Sequence, residues 1–136
     1  MRLTRHTDYA FRALLAAASA REGLTSIAEV SAAHGISKNH LMKVVNQLAN
    51  DGFLRTIRGR GGGFTLARPA EAIRIGDVVR RMEPDLQLAE CGSCVMRLGC
   101  GLTPVLGEAM AAFIDALDRY TLADVVARPE SLLAIP

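Results

Sequence analysis

Between residues 26 and 52 the chain prescribes two short helices and the turn that joins them. Ser26 is a helix-capping residue with Glu29 three positions on, the reciprocal pairing of a capping box, and Ile27 and Val30 supply an inward face. Gly35 stops that helix and Ser37 caps the next. Beyond it Leu41, Val44, Val45 and Leu48 fall at i, i+3, i+4 and i+7, one apolar stripe that closes before Gly52. Two such helices across a glycine turn read as a helix-turn-helix. The stripe leaves Lys38, Asn39, His40, Lys43, Asn46 and Gln47 on the outside of the second helix. Side chains of this kind bond base edges and phosphates, and the N-terminal half of a second helix is where bases are met. Ser37, Lys38, Asn39, His40 and Lys43 form the expected contact set on that helix.

The next stretch, FLRTIRGRGGGFTLAR, predicts a hairpin with strands over residues 53–57 and 64–67. Its glycines permit positive φ and a close approach of backbone to a partner. A nucleotide site is a poor fit, because no Lys-Ser/Thr ending follows and the loop runs into a strand. With Arg58 and Arg60 projecting, the hairpin suits a wing whose arginines enter a narrow minor groove. Charge agrees: residues 38–68 carry Lys38, Lys43, Arg55, Arg58, Arg60 and Arg68 against Asp51 alone, a local +5 within a chain of formal net charge +2. Charge by itself would equally suit a solvated basic surface; the order helix, helix, basic wing decides for DNA. The expected fold is mainly α with a small β-hairpin wing, a winged helix-turn-helix followed by a long C-terminal dimerisation helix.

That last helix is expected from Thr103. Leu106, Met110, Phe113, Leu117 and Tyr120 step by four, three, four and three, the spacing of a coiled-coil seam, with Val105, Ala109, Ala112 and Ala116 as a second apolar row beside it. One row suits the helix's own domain and the other a second subunit, so a homodimer through Leu106, Met110, Phe113 and Leu117 is expected. A two-fold dimer reads double-stranded DNA of approximate dyad symmetry. The alternative is that both rows are core in a monomer. The 136 residues divide accordingly into a winged domain (1–84), a cysteine-rich loop (85–102), and the dimer helix with its tail (103–136).

Half of the residues are hydrophobic, enough for a core, yet no run approaches the roughly 18 apolar residues of a membrane span. The first twenty residues imitate an export signal, ending Ala18-Ser19-Ala20, but Asp8, Tyr9 and Arg12 crowd a weak apolar run. A cytoplasmic protein is expected. All three cysteines, Cys91, Cys94 and Cys100, stand within ten positions. In a reducing compartment such clustering favours metal or redox chemistry over a structural disulfide. Nothing resembles a nucleophile with its base, so no enzyme is expected; thiol exchange at Cys91 and Cys94 is a minor alternative.

Five blocks, MRLTRHTDYAFRALL, SKNHLMKVVNQLANDGFL, RGRGGGFTLARP, IRIGDVVRRMEP and DRYTLADV, stand in the order they take in a known family. Together they resemble the iron–sulfur winged-helix repressors that include NsrR, IscR and RirA, most closely the nitric-oxide-sensing NsrR type, over residues 1–126. The resemblance implies a dimeric bacterial repressor with an iron–sulfur cluster, 4Fe–4S ahead of 2Fe–2S, held by Cys91, Cys94 and Cys100. It also implies that Asp8 of the partner subunit is the fourth ligand, and that nitric oxide is the effector. Three thiolates and one oxygen suit a sensor, since the iron without a thiolate is the more open to attack.

On the residues alone Asp8 could equally pair with Arg12 one helical turn on, and His6 is a rival ligand. Only Gly92 and Ser93 separate Cys91 from Cys94, fewer residues than NsrR-type sequences generally have there, which leaves cluster type open. A Cys-x2-Cys step also suits zinc in a zinc-stabilised winged-helix regulator. Iron or redox state is the alternative signal. IscR-type proteins carry a histidine three residues after the last cysteine; Thr103 stands there here.

Overall fold

The computed structural model describes residues 1–20 and 23–126. Residues 127–136 of the expected C-terminal tail lie outside the described residues. Thr4 caps the first helix, α1 (Arg5–Ser19), its hydroxyl accepting from the Thr7 amide. Thr7, Ala10, Ala13, Leu14 and Ala17 form the buried stripe of α1, small enough for close packing against its neighbours. The capping box at Ser26 and Glu29 is formed in full at the start of α2 (Ile27–His34). Gly35 ends it at φ 64°, a left-handed conformation that glycine adopts without steric cost. Ser37 then caps α3 (Lys38–Asn50), accepting from the His40 amide, and Leu41, Val44, Val45 and Leu48 are the buried residues of α3.

The hairpin pairs β1 (Leu54–Ile57) with β2 (Gly63–Leu66) antiparallel, Leu54 opposite Leu66 and Ile57 opposite Gly63. Thr25 adds one bridge to its outer edge: the Thr25 amide donates to the Phe64 carbonyl at 2.9 Å and the Phe64 amide returns the bond at 2.8 Å. That crossing is close enough that any side chain at residue 63 would collide with the Thr25 carbonyl, so glycine is required there. Phe64, fully buried, anchors the wing in the core with Leu14, Leu41, Leu48, Phe53 and Leu54.

A 3₁₀ turn at Ala70–Ala72 leads into α4 (Ile75–Met82), which buries Ile75, Val78, Val79 and Met82. Turns carry the chain through residues 83–101 to α5 (Leu102–Asp118). The polypeptide then returns to the winged domain, which the sequence pattern does not foretell. The Ile75 amide donates to the Tyr120 carbonyl at 3.0 Å and the Leu122 amide to the Ile73 carbonyl at 2.7 Å. The short α6 (Leu122–Val125) thereby inserts Leu122, fully buried, into the same core. That burial contributes about 1.5–3 kcal/mol relative to an exposed leucine. The expected class, helical with a two-stranded wing, is the one observed.

Helix α5 rests on α4, and its only buried residue, Ile114, belongs to neither of the two rows expected from spacing. Leu106, Met110 and Leu117 are half-buried and Phe113 is 38% exposed. Val105, Ala109 and Ala112 face outward. No helix among the described residues is long and apolar enough to cross a membrane.

Candidate functional site

The solvent face of α3 is one continuous strip of Lys38, Asn39, Met42, Lys43 and Asn46, all exposed. The buried stripe fixes it by exclusion. Beside it the wing holds Arg58 and Arg60 outward on a tight loop in which the Gly62 amide donates to the Gly59 carbonyl at 3.0 Å. Gly59 and Gly61 both take positive φ there, at 98° and 69°. Between α3 and the wing runs a cleft of about 400 Å³ lined by Met42, Asn46, Ile57, Arg58, Gly62 and Gly63. Among the described residues no carboxylate lies within ion-pair distance of Lys38, Lys43, Arg58 or Arg60, so all four charges are available to an external anion. Arg68, counted in the basic segment, is engaged otherwise: its guanidinium lies 4.8 Å over the Phe53 ring.

Three polar residues of α3 are not equivalent. Ser37, though exposed, has its hydroxyl engaged as the helix cap. His40 is half-buried, its ring centroid 4.8 Å from that of Tyr9 in an edge-on arrangement and 6.0 Å from that of His6, with which it stacks. Gln47, on the polar face in a helical reading, is a tether: its carbonyl oxygen meets His6 Nε2 at 2.7 Å and its amide nitrogen donates to the Arg81 carbonyl at 2.9 Å. It ties α3 to α1 and α4 at once. The signal was its place beside Val44 and Leu48 at the border of the buried stripe, where a long amide reaches a neighbouring helix.

The cysteine loop lies apart from the core. Cys91 and Cys100 are half-exposed, Cys94 is exposed, and all three are free thiols. Backbone amides of Leu102 and Thr103, at the start of α5, hold the Cys100 thiol below its ordinary pKa, with the Thr103 hydroxyl adding to the effect. That same hydroxyl approaches Cys91 Sγ at 3.8 Å. The donor set suits an iron–sulfur cluster or a thiophilic metal by its chemistry. Yet among the described residues no three His, Cys, Asp or Glu side chains converge on one point. Closing such a site requires the loop to draw together.

Asp8 and His6 both stand on α1. Asp8 makes the expected i, i+4 pair with Arg12, through hydrogen bonds of 3.1 and 3.2 Å, and both side chains keep more than a third of their surface in solvent. An exposed pair of this kind contributes only about 0.3–0.5 kcal/mol, so Asp8 remains free to be recruited.

The chain matches the Rrf2 family, described as an iron-dependent transcriptional regulator, over residues 3–128. Solved structures agree on the fold. CymR (YrzC), the global cysteine regulator of B. subtilis, superposes with a TM-score of 0.75 at 24% identity, over 93% of this chain and 96% of that one. The oxidized form of Staphylococcus aureus CymR gives 0.76 at 25% identity over 94% and 98%. T. potens IscR gives 0.75 at 23% identity over 97% and 96%. The matched family regulates transcription and is not one of enzymes. With a family match over nearly the whole chain and a winged helix-turn-helix beneath it, this chain belongs to the Rrf2 family of DNA-binding transcriptional regulators.

Proposed function

We propose that the chain is the subunit of a cytoplasmic, homodimeric repressor whose affinity for dyad-symmetric DNA is set by an iron–sulfur cluster and relieved by nitric oxide. The observation that carries the reading is the cysteine loop: three free thiols on an exposed loop, the last of them acidified by the first amides of α5. In this reading Cys91, Cys94 and Cys100 are the thiolate ligands and Asp8 of the partner subunit is the fourth. His6 is the weaker rival because its Nε2 is already bonded to Gln47 within a half-buried site. Bound there, a cluster would supply iron able to react with nitric oxide.

The chain's own residues account for the rest. Leu102, Thr103 and the Thr103 hydroxyl favour the deprotonated thiol at Cys100, the form that ligates. Recruiting Asp8 costs only the exposed pair with Arg12. At the far end of α5, Asp118 is held by Arg80 of α4, and the neighbouring Arg81 carbonyl receives Gln47 of α3. A hydrogen-bonded route thus runs from the dimer helix to the DNA-reading helix. Dimerisation through Leu106, Met110, Phe113 and Leu117 is supported by an apolar groove of about 470 Å³ whose walls include Leu3, Phe11, Val79, Met110, Phe113 and Leu117. A tie between one subunit's cysteine loop and Asp8 of the partner subunit would fix the spacing of the two α3 helices, and DNA binding is sensitive to that spacing because two half-sites are engaged together.

The test begins with anaerobic purification and analysis for iron, acid-labile sulfide and zinc, followed by DNA affinity with holo, nitric-oxide-treated and apo protein. Iron and sulfide in the protein, with tight binding by the holo form alone, is the expected result. Stoichiometric zinc without sulfide, or equal affinity in all three states, overturns the sensing model. Tighter binding by the apo form reverses its direction.

A further inference from the structure

Helix α3 carries one residue that neither its core packing nor its charge explains. Met42 is 47% exposed, off the buried stripe and at the centre of the strip formed by Lys38, Asn39, Lys43 and Asn46. Across the cleft Ile57, 42% exposed, is the corresponding apolar residue of the wing. Neither packs in the protein core, and an apolar side chain left in water gains free energy from any partner that covers it.

The surroundings say what that partner is. Lys38 and Lys43 flank Met42 on its own helix, and Arg58 lines the same cleft. Among the described residues none of the three is neutralised by a carboxylate. An occupant must therefore be anionic at its edges and apolar at its centre. Duplex DNA has that distribution where the major groove presents a pyrimidine 5-methyl group between two phosphate backbones, the one apolar feature of the groove's chemical code. The thioether is unbranched and polarizable, and it adapts to a methyl without demanding one orientation.

We infer that Met42, with Ile57 as the opposite wall of the cleft, is a base-specificity determinant that recognises the 5-methyl group of a thymine in each half-site. The inference rests on the DNA-binding reading of α3 and adds to it: Lys38 and Arg58 hold phosphates and set overall affinity, while Met42 joins Asn39 and Lys43 in discriminating between bases.

The experiment uses the anaerobically purified full chain and a duplex that it selects from a randomised library. Each thymine of that duplex is replaced in turn by uracil, which lacks only the methyl. At one position per half-site the wild type should lose affinity by about fourfold, the effect of one buried methyl. Met42→Ala should bind thymine and uracil duplexes equally, near the wild-type uracil value. A second arm compares 5-methylcytosine with cytosine at that position. A gain with 5-methylcytosine in the wild type and not in Met42→Ala assigns the recognition to the methyl rather than to another group of thymine, and the absence of that gain assigns it elsewhere and overturns the inference. If no uracil replacement weakens the wild type, or if the thymine preference survives in Met42→Ala, the inference fails while DNA binding stands. If no duplex is selected at all, the DNA reading of α3 fails and takes the inference with it. Met42 is exposed, so its replacement leaves the core intact.

Discussion

Arg58 and Arg60 are cations at the tip of a tight glycine loop, and the described residues offer them no carboxylate. A charge so placed acts on the phosphate backbone regardless of sequence. Arg58→Ala or Arg60→Ala should weaken binding to all duplexes alike and make the salt dependence of the affinity shallower, by about one in slope for each phosphate no longer neutralised. Asn39→Ala or Lys43→Ala should also relax base preference, by about 1–3 kcal/mol for each base edge no longer bonded. Salt titrations against matched and mismatched duplexes separate the two effects; wing variants that bind as tightly as wild type at moderate salt would remove the wing from the interface. At this scale the sequence disclosed what local pattern determines. The outward positions of Lys38, Asn39 and Lys43 follow from the stripe at Leu41, Val44, Val45 and Leu48. It could not disclose that His40 rests against Tyr9 or that Gln47 reaches Arg81, because those partners come from other helices. The sequence reading passed over Met42, whose place became apparent only with the cleft and Ile57 around it.

Helices α4 and α5 are joined by a bidentate pair in which Arg80 Nη1 reaches Asp118 Oδ1 at 2.9 Å while Nη2 bonds the second carboxylate oxygen. Asp77 shares the guanidinium, and Arg74 donates to the Asp118 backbone carbonyl. The Arg80 hydrogen bonds hold the Asp118 carboxyl below its ordinary pKa. A depressed folded-state pKa means that the carboxylate stabilises the fold above its unfolded value, about pH 3.9, and that the contribution is lost as pH falls through the folded value. Thermal unfolding of wild type and Asp118→Asn should therefore differ at neutral pH, and the gap should close as the medium is acidified below about pH 4. A gap that stays constant down to about pH 2 would show that Asp118 acts by shape and not by charge. The elements themselves were legible to unequal degrees. Caps at Ser26 and Ser37, with glycines at their far ends, are short-range signals, and α2, α3 and the wing follow from them. The return of α6 was not legible, since Leu122 gains its place only when Ile73 is folded beside it. Spacing on α5 showed two apolar rows without saying which would meet the protein's own domain, and it missed Ile114, the one buried residue of α5.

In the proposed homodimer, the groove bounded by Leu3, Phe11, Val79, Met110 and Phe113 is where a second α5 would bury its large side chains. The outward Val105, Ala109 and Ala112 are small enough for a close helix approach. Phe113→Glu sets an ionised group in that seam at a cost that association offsets poorly. Light scattering should then report a dimer for the wild type and monomer for the variant; an unperturbed dimer would place the seam elsewhere. Since Phe113 is already partly exposed in the single chain, the variant should keep its fold, which circular dichroism checks. The return of the chain after Asp118 has a mechanical meaning as well. With Leu122 clamped in the core and Asp118 latched to Arg80, α5 is fastened at its C-terminal end, while Cys100 stands just before its N-terminal end, so in the proposed function α5 would act as a lever. An arm of 17 residues is about 25 Å long, so a shift of about 2 Å at the cysteine end turns it by about 5°. Two such arms facing each other across a dyad would double the angle, and the fulcrum lies one residue from the carbonyl that holds Gln47 of the reading helix.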